Sequence, residues 1–137
     1  MSPKTILLVG TYDTKLDELE FLAGVIAQAG GKVLTMDVSV LGDTTAPVDI
    51  TKHEVAAAAG MDIAAIMAFE DENPAMQAMA RGAAKLAAEA RLAGRFDGVL
   101  ALGGSMGTDL ALDLCAALPI GVPKYVISTV AFSPMIP

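Results

Sequence analysis

Apolar positions along this chain switch repeatedly between two patterns. Residues 4–10, KTILLVG, are apolar without alternation and read as a strand buried on both faces. Residues 16–29 then place Leu19, Leu22, Ala23 and Ile26 at 3.6-residue spacing, with Asp17 and Glu18 in the first turn and Gly30 and Gly31 as the stop. Thr14 with Asp17 approximates a capping box for this helix. Residues 32–40, KVLTMDVSV, are a second strand, and the Gly, Asp, Thr and Pro of residues 41–50 mark a loop. Thr51 and Glu54 fit the capping-box pattern for a short helix ending at Gly60, and Asp62 opens another short helical piece through Phe69. Asn73 as N-cap with Pro74 at the first helical position begins a long helix, which Gly94 ends. Its stripe of Met76, Met79, Ala80, Ala83 and Ala87 is small enough to let a neighbour approach closely. Residues 96–104 form a third strand, residues 105–118 a helix with Leu110, Leu114 and Leu118 on one face, and residues 123–130 a fourth strand.

Strands that are apolar throughout and alternate with helices imply a parallel sheet covered on both faces. Right-handed crossovers make this a doubly wound, Rossmann-like α/β fold. At 137 residues the chain fits a single domain. After the fourth strand comes only AFSPMIP, with no further helix to cover the sheet. The expectation is an N-terminal domain of a longer two-domain protein, the alternative being a small complete domain whose last segment lies in a dimer interface.

Composition narrows the functions. A net charge of −7, with no Lys/Arg run interleaved with aromatics, argues against a nucleic-acid-binding surface. The longest weakly charged stretch, residues 55–69, contains Asp62 and is shorter than the ~20 residues of a membrane-spanning helix. The N-terminal apolar run is too short for a secretory signal, so a cytoplasmic location is expected. Cys115 is the only cysteine, which excludes an intrachain disulfide or a cysteine zinc cluster, and it reads as a small buried core residue. Apolar residues reach 54% and charged residues only 18%, so some apolar surface is expected to meet another subunit or domain.

The candidate chemistry lies where strands end. Open parallel sheets bind ligands beyond the carboxyl ends of their strands. Three predicted tips are polar or glycine-rich there: GTYDTK at residues 10–15, GGSMGT at 103–108 and STV at 128–130, with Asp37 ending the second strand. Gly103, Gly104 and Gly107 permit positive φ or close backbone approach, and Ser105 and Thr108 offer hydroxyls at a helix start. Together these suit an anion, most often phosphate. The spacing is neither a Walker loop nor G-x-G-x-x-G, and a purely structural strand-to-helix turn with Ser105 as N-cap is the competing reading. Lys15 sits at the positive end of a helix dipole, where a bound phosphate would reverse an unfavourable interaction; pairing with Asp13 or Asp17 is its alternative. Asp37 stands where doubly wound nucleotide proteins place an acid for ribose hydroxyls, or it caps a loop. Asp109 is expected to face outward. Tyr12 is a candidate for stacking on a base, the acidic run at residues 70–73 a weak cation site, and His53 an exposed first-turn residue.

The stretches VGTYDTKLDELEFLA, DGVLALGGSMGT and ALPIGVPKYVISTVA resemble the Tm-one-like ATP-binding family, bacterial proteins related to a plant virus-resistance protein. The resemblance covers essentially the whole chain. It implies a nucleotide-binding α/β domain that binds ATP, forms a homodimer, and is followed by a second α/β domain that this chain lacks. Mg²⁺ is a candidate companion of the nucleotide. It places nucleotide contacts at Thr11, Asp13, Thr14 and Lys15, at Gly103, Gly104, Ser105, Gly107 and Thr108, and at Ser128 and Thr129. Many members have glycine where Met106 stands here. Three functions are therefore weighed: an ATP-binding module with a regulatory or assembly role, part of an ATP-dependent transferase or hydrolase completed by the second domain, and a protein-interaction scaffold. Whether the protein is an enzyme stays open at this point.

Overall fold

The structure, a computed structural model, describes residues 3–129, and for Ser105 and Met106 the backbone alone. The expected extension of the last strand to Val130 and the tail beyond it lie outside the described residues. Among the described residues nine elements follow in order: β1 (Thr5–Gly10), α1 (Leu16–Gln28), β2 (Lys32–Asp37), α2 (Lys52–Ala58), α3 (Ile63–Met67), α4 (Glu72–Leu92), β3 (Gly98–Gly103), α5 (Ser105–Ala116) and β4 (Lys124–Ser128). The four strands make one parallel sheet in the order β2-β1-β3-β4. This is the α/β, Rossmann-like arrangement that the alternation of patterns predicts.

The unbroken apolar run of β1 follows from its central position. Leu7 pairs with Leu34 and Val99, and Val9 with Met36 and Ala101. Successive side chains point to opposite faces, so both parities must be apolar. One face meets α2, α4 and α5 in the larger core, where Leu7, Val9, Met36, Val55, Met79 and Leu114 are buried. The other face carries Leu8 and Leu102 and packs against Leu19 of α1.

Small residues decide how near the helices come. A Cβ on Gly82 would lie 1.9 Å from the carbonyl oxygen of Val55, so α4 touches the backbone of α2 there. Beside α1, the same sheet face is only partly covered. A groove of about 450 Å³ runs over β3 and β4, lined by Ile6, Ile26, Leu100, Tyr125 and Ile127 among others, and Tyr125 is 68% exposed.

Two helix starts differ from the sequence reading. Asp71, rather than Asn73, caps α4, its carboxylate accepting from Asn73 N at 3.0 Å, so the helix begins two residues before Pro74. The Thr14–Asp17 box does not form. Lys15 occupies the N-cap position of α1 without a side-chain bond, and the Thr14 hydroxyl instead meets that of Thr11 at 2.7 Å. Thr51 does cap α2, accepting from Glu54 N at 3.2 Å.

Candidate functional site

Because β1 and β2 are joined across one face and β3 and β4 across the other, the chain diverges between the adjacent strands β1 and β3. Such a divergence leaves a crevice beyond the strand ends. Here it is a cleft of about 160 Å³ lined by Thr11, Asp13, Thr14, Lys15, Val40, Leu41, Glu72, Met76, Gly104 and Gly107. The first and second glycine-bearing tips therefore share one rim. The third tip stands behind: Ser128 Oγ meets Thr108 Oγ1 at 2.7 Å and Thr129 N donates to Gly103 O at 3.2 Å, but neither residue lines the cleft.

Both helices that start at this cleft are uncapped by side chains. α1 follows Lys15 and α5 follows Gly104, and neither cap position contributes a side-chain hydrogen bond. The other three described helices are capped, by Thr51, Asp62 and Asp71. A helix start carries N–H groups without intrahelical partners and a partial positive charge. Two such starts at one crevice make it electropositive along its backbone. Ser105 is the first residue of α5, and Gly104 takes the cap position that the structural-turn reading assigned to Ser105. The Ser105 hydroxyl and the Met106 side chain lie outside the described atoms.

The glycines of the second tip serve different ends, and none needs the positive φ the sequence suggested. Positive φ occurs at Gly30, Gly60 and Gly94, which follow α1, α2 and α4. A Cβ on Gly103 would fall 2.5 Å from Gly107 C and from Thr108 N, so this position lets the strand tip meet the helix. Gly104 and Gly107 have open space toward the cleft; a Cβ there meets nothing nearer than 3.9 Å. Thr108 is buried, and its hydroxyl donates back to the Gly103 and Gly104 carbonyls while meeting Ser128. It braces the turn rather than facing the crevice.

Polar groups on the first tip divide in the same way. Thr11 O accepts from Lys15 N at 2.8 Å and Thr14 N at 3.2 Å, folding residues 11–15 into a turn. Among the described residues, the Lys15 ammonium has no hydrogen-bond or ion-pair partner, neither Asp13 nor Asp17. Asp13 Oδ2 accepts from Leu41 N at 3.1 Å and Gly42 N at 2.9 Å, whereas its Oδ1 is buried without a partner. Asp37 is buried away from the cleft. Its Oδ1 accepts from Tyr12 N, Ser39 N and the Ser39 hydroxyl, so it ties the β1 tip to the β2 tip.

Tyr12 does not stack on anything from solvent. It is buried with Leu8, Leu19 and Leu102, and that burial, reinforced by the charges of Asp37 and Asp49, pushes its phenol up to about 12. Asp109 is exposed on α5 and absent from the cleft, as expected, and His53 is exposed on α2. Cys115 is half-buried, with its thiol raised chiefly by desolvation. No group of three or more metal-ligating side chains occurs among the described residues. No described helix is long and apolar enough to cross a membrane.

One contributor escaped the sequence reading, and another entered it only within the acidic run at residues 70–73. Glu72 of that run reaches the cleft from the first turn of α4, and no local pattern ties that turn to β1. Lys52, the first residue of α2, is almost wholly buried and binds the loop that follows β2, donating to Gly42 O at 2.7 Å and pairing with Asp43. The hydrogen bond that Asp43 accepts from Lys52, with the charge behind it, holds the Asp43 carboxyl below the usual carboxylate range. A lysine in TKHEV carries no signal of burial, because the apolar surroundings come from distant segments.

Comparison with known proteins agrees with the earlier resemblance. The model of the N-terminal domain of an uncharacterised protein family, UPF0261, matches residues 4–137. A UPF0261 protein of Brucella suis is 51% identical over 136 residues, covering 99% of this chain and 32% of that protein. A UPF0261 protein of Clostridium tetani is 34% identical over 128 residues, again covering 32% of its length. The ToMV susceptible protein tm-1(GCR26) of Solanum lycopersicum is 30% identical over 145 residues, which are 19% of that protein. The chain thus spans about a third of the length of the bacterial relatives it matches.

Proposed function

This chain belongs to the UPF0261 family through its N-terminal domain, and on that premise we propose that it is a nucleotide-binding domain gripping the phosphates of ATP between β1 and β3. One observation carries the reading: two side-chain-uncapped helix starts and an unpartnered lysine converge on the same crevice. The cleft of about 160 Å³ is smaller than the roughly 300–1,000 Å³ of sites that enclose a drug-sized molecule. It therefore takes phosphate groups, and the nucleoside lies outside it.

Charge favours a divalent cation with the phosphates. Among the described residues lining the cleft, Lys15 is the one cation, against the carboxylates of Asp13 and Glu72. A bare polyphosphate meets both carboxylates, whereas Mg²⁺ between phosphate and Asp13 converts repulsion into attraction. Mg²⁺ is commonly held by one or two carboxylates plus substrate phosphates. The partnerless Oδ1 of Asp13 suits that role.

Thermal-shift titration with Mg-ATP tests the reading. Stabilisation of about 2.7 kcal/mol is expected when free ligand reaches a hundred times its dissociation constant. Lys15→Ala removes a charge-assisted contact normally worth ~1.5–3 kcal/mol, so affinity should fall by one to two orders of magnitude while the unliganded melting temperature holds. No shift at millimolar Mg-ATP with the folded wild type refutes it.

The groove over β3 and β4 supports pairing of two copies, as the family resemblance implies, because parallel sheets normally have both faces covered. A second functional reading, group transfer completed elsewhere in a longer protein, draws on the 32% coverage of the relatives and on the two carboxylates beside the proposed phosphate site. ATP turnover by a full-length family member tests it.

A further inference from the structure

We propose that Lys52 is a positioning residue for the cleft: by clamping the loop at Gly42 and Asp43 it holds the two amides that aim Asp13 at a ligand-bound cation. This rests on the nucleotide reading and adds to it a residue that never touches the ligand.

The path is short and continuous. The Lys52 ammonium donates to Gly42 O at 2.7 Å and pairs with Asp43. The amide of the same Gly42, with that of Leu41, donates to Asp13 Oδ2. Asp13 N in turn donates to Ser39 Oγ at 3.0 Å, so the segment after β2 grips Asp13 at three points. What remains of the carboxylate is Oδ1, buried and partnerless in a residue that lines the cleft. Lys52 itself does not line the cleft.

Stability does not account for Lys52. Its side chain is 6% exposed, and a cation at the first position of a helix faces the positive end of the dipole. Its partner Asp43 is 84% exposed, where screening leaves an ion pair little net value. Methionine would fill the same space beside Met67 without desolvating a charge. Methionine cannot hold the Gly42 carbonyl, and without that hold the amides that fix Asp13 are free to drift.

Calorimetric titration separates this role from a structural one. Wild type, Lys52→Met and Lys52→Arg are each titrated with ATP in excess Mg²⁺ and with ATP in EDTA. In Lys52→Met the Mg²⁺-dependent gain in affinity should fall about tenfold, the lower end of the effect of removing outer-shell partners. Metal-free affinity should stay within about twofold on the same basis, because Lys15 and the helix starts are untouched. Lys52→Arg should restore most of the gain. Should Lys52→Met fail to fold, Asp43→Ala takes its place, with a smaller loss in the same arm. An unchanged Mg²⁺-dependent gain, or equal losses in both arms, overturns the positioning role while leaving the nucleotide reading intact. Absence of binding by wild type in both arms overturns both.

Discussion

Replacing Gly82 by alanine tests how closely the packing of α2 on α4 is set. In an exposed helix interior this exchange stabilises by ~1 kcal/mol, since alanine is the better helix former. At position 82 the new Cβ would stand 1.9 Å from Val55 O, 2.9 Å from Val55 C and 3.2 Å from Val55 Cγ1. Ordinary contact begins at 3.4 Å, so the two helices must part by about 1.5 Å. The obstacle is backbone, which cannot rotate aside, and this places the cost near the top of the ~1–3 kcal/mol range for overpacking. Net of the helix gain, a loss of about 2 kcal/mol is expected. For a domain of this size that corresponds to a fall in melting temperature of roughly 8 °C. Calorimetry or far-UV circular dichroism measures it. Gly24→Ala is the matched control, since Gly24 lies exposed within α1 with nothing within 4 Å of the added Cβ, and it should raise the melting temperature. A rise for Gly82→Ala equal to that of the control would show that α2 and α4 are not in backbone contact. Parting α2 from α4 also displaces Lys52, so the variant should lose Mg²⁺-dependent nucleotide affinity as well as stability.

The second tip should show two kinds of glycine: Gly103→Ala meets backbone at 2.5 Å and should lower the melting temperature by several degrees, while Gly104→Ala, with its nearest neighbour at 3.9 Å, should leave it within a degree or two, in the same melts. Tyr12 predicts an alkaline limb. Its phenol is raised from 10.0 to about 12 by burial, so its contribution is intact below pH 10 and is lost as pH climbs from 10 toward 12. That loss amounts to about 2–3 kcal/mol in chemical denaturation, and Tyr12→Phe should flatten it; a limb of equal depth in the variant refutes the burial of Tyr12. For the proposed pairing of copies, Tyr125→Asp should shift the sedimentation coefficient from dimer to monomer without altering the melt of the monomer; a wild type that sediments as a monomer at high micromolar concentration excludes the groove as a homodimer surface.

Local pattern determined the fold class and nearly every element of this protein. The unbroken apolar runs at residues 4–10 and 96–104 require burial on both faces, and only a sheet sandwiched between helices supplies it. Stop signals worked because they are backbone chemistry, as Gly30, Gly60 and Gly94 show by taking positive φ where helices end. The same local logic misplaced the start of α4, because Asp71 and Asn73 are both competent caps and the local pattern does not rank them.

What only the tertiary structure decided is which polar groups face the crevice and which hold it in shape. Asp37, Thr108 and Tyr12 are as polar in sequence as Asp13, Thr14 and Lys15, yet the first three are buried as braces and the last three line the cleft. Gly103 and Gly104 are adjacent and alike on paper, but one abuts the helix backbone and the other opens on the cleft. Lys52 and Glu72 reach their places from segments remote in sequence. The physical reason is common to all of them. Element type depends on neighbours three or four residues away, whereas a side chain's exposure and hydrogen-bond partners depend on which distant backbone the crossovers set beside it.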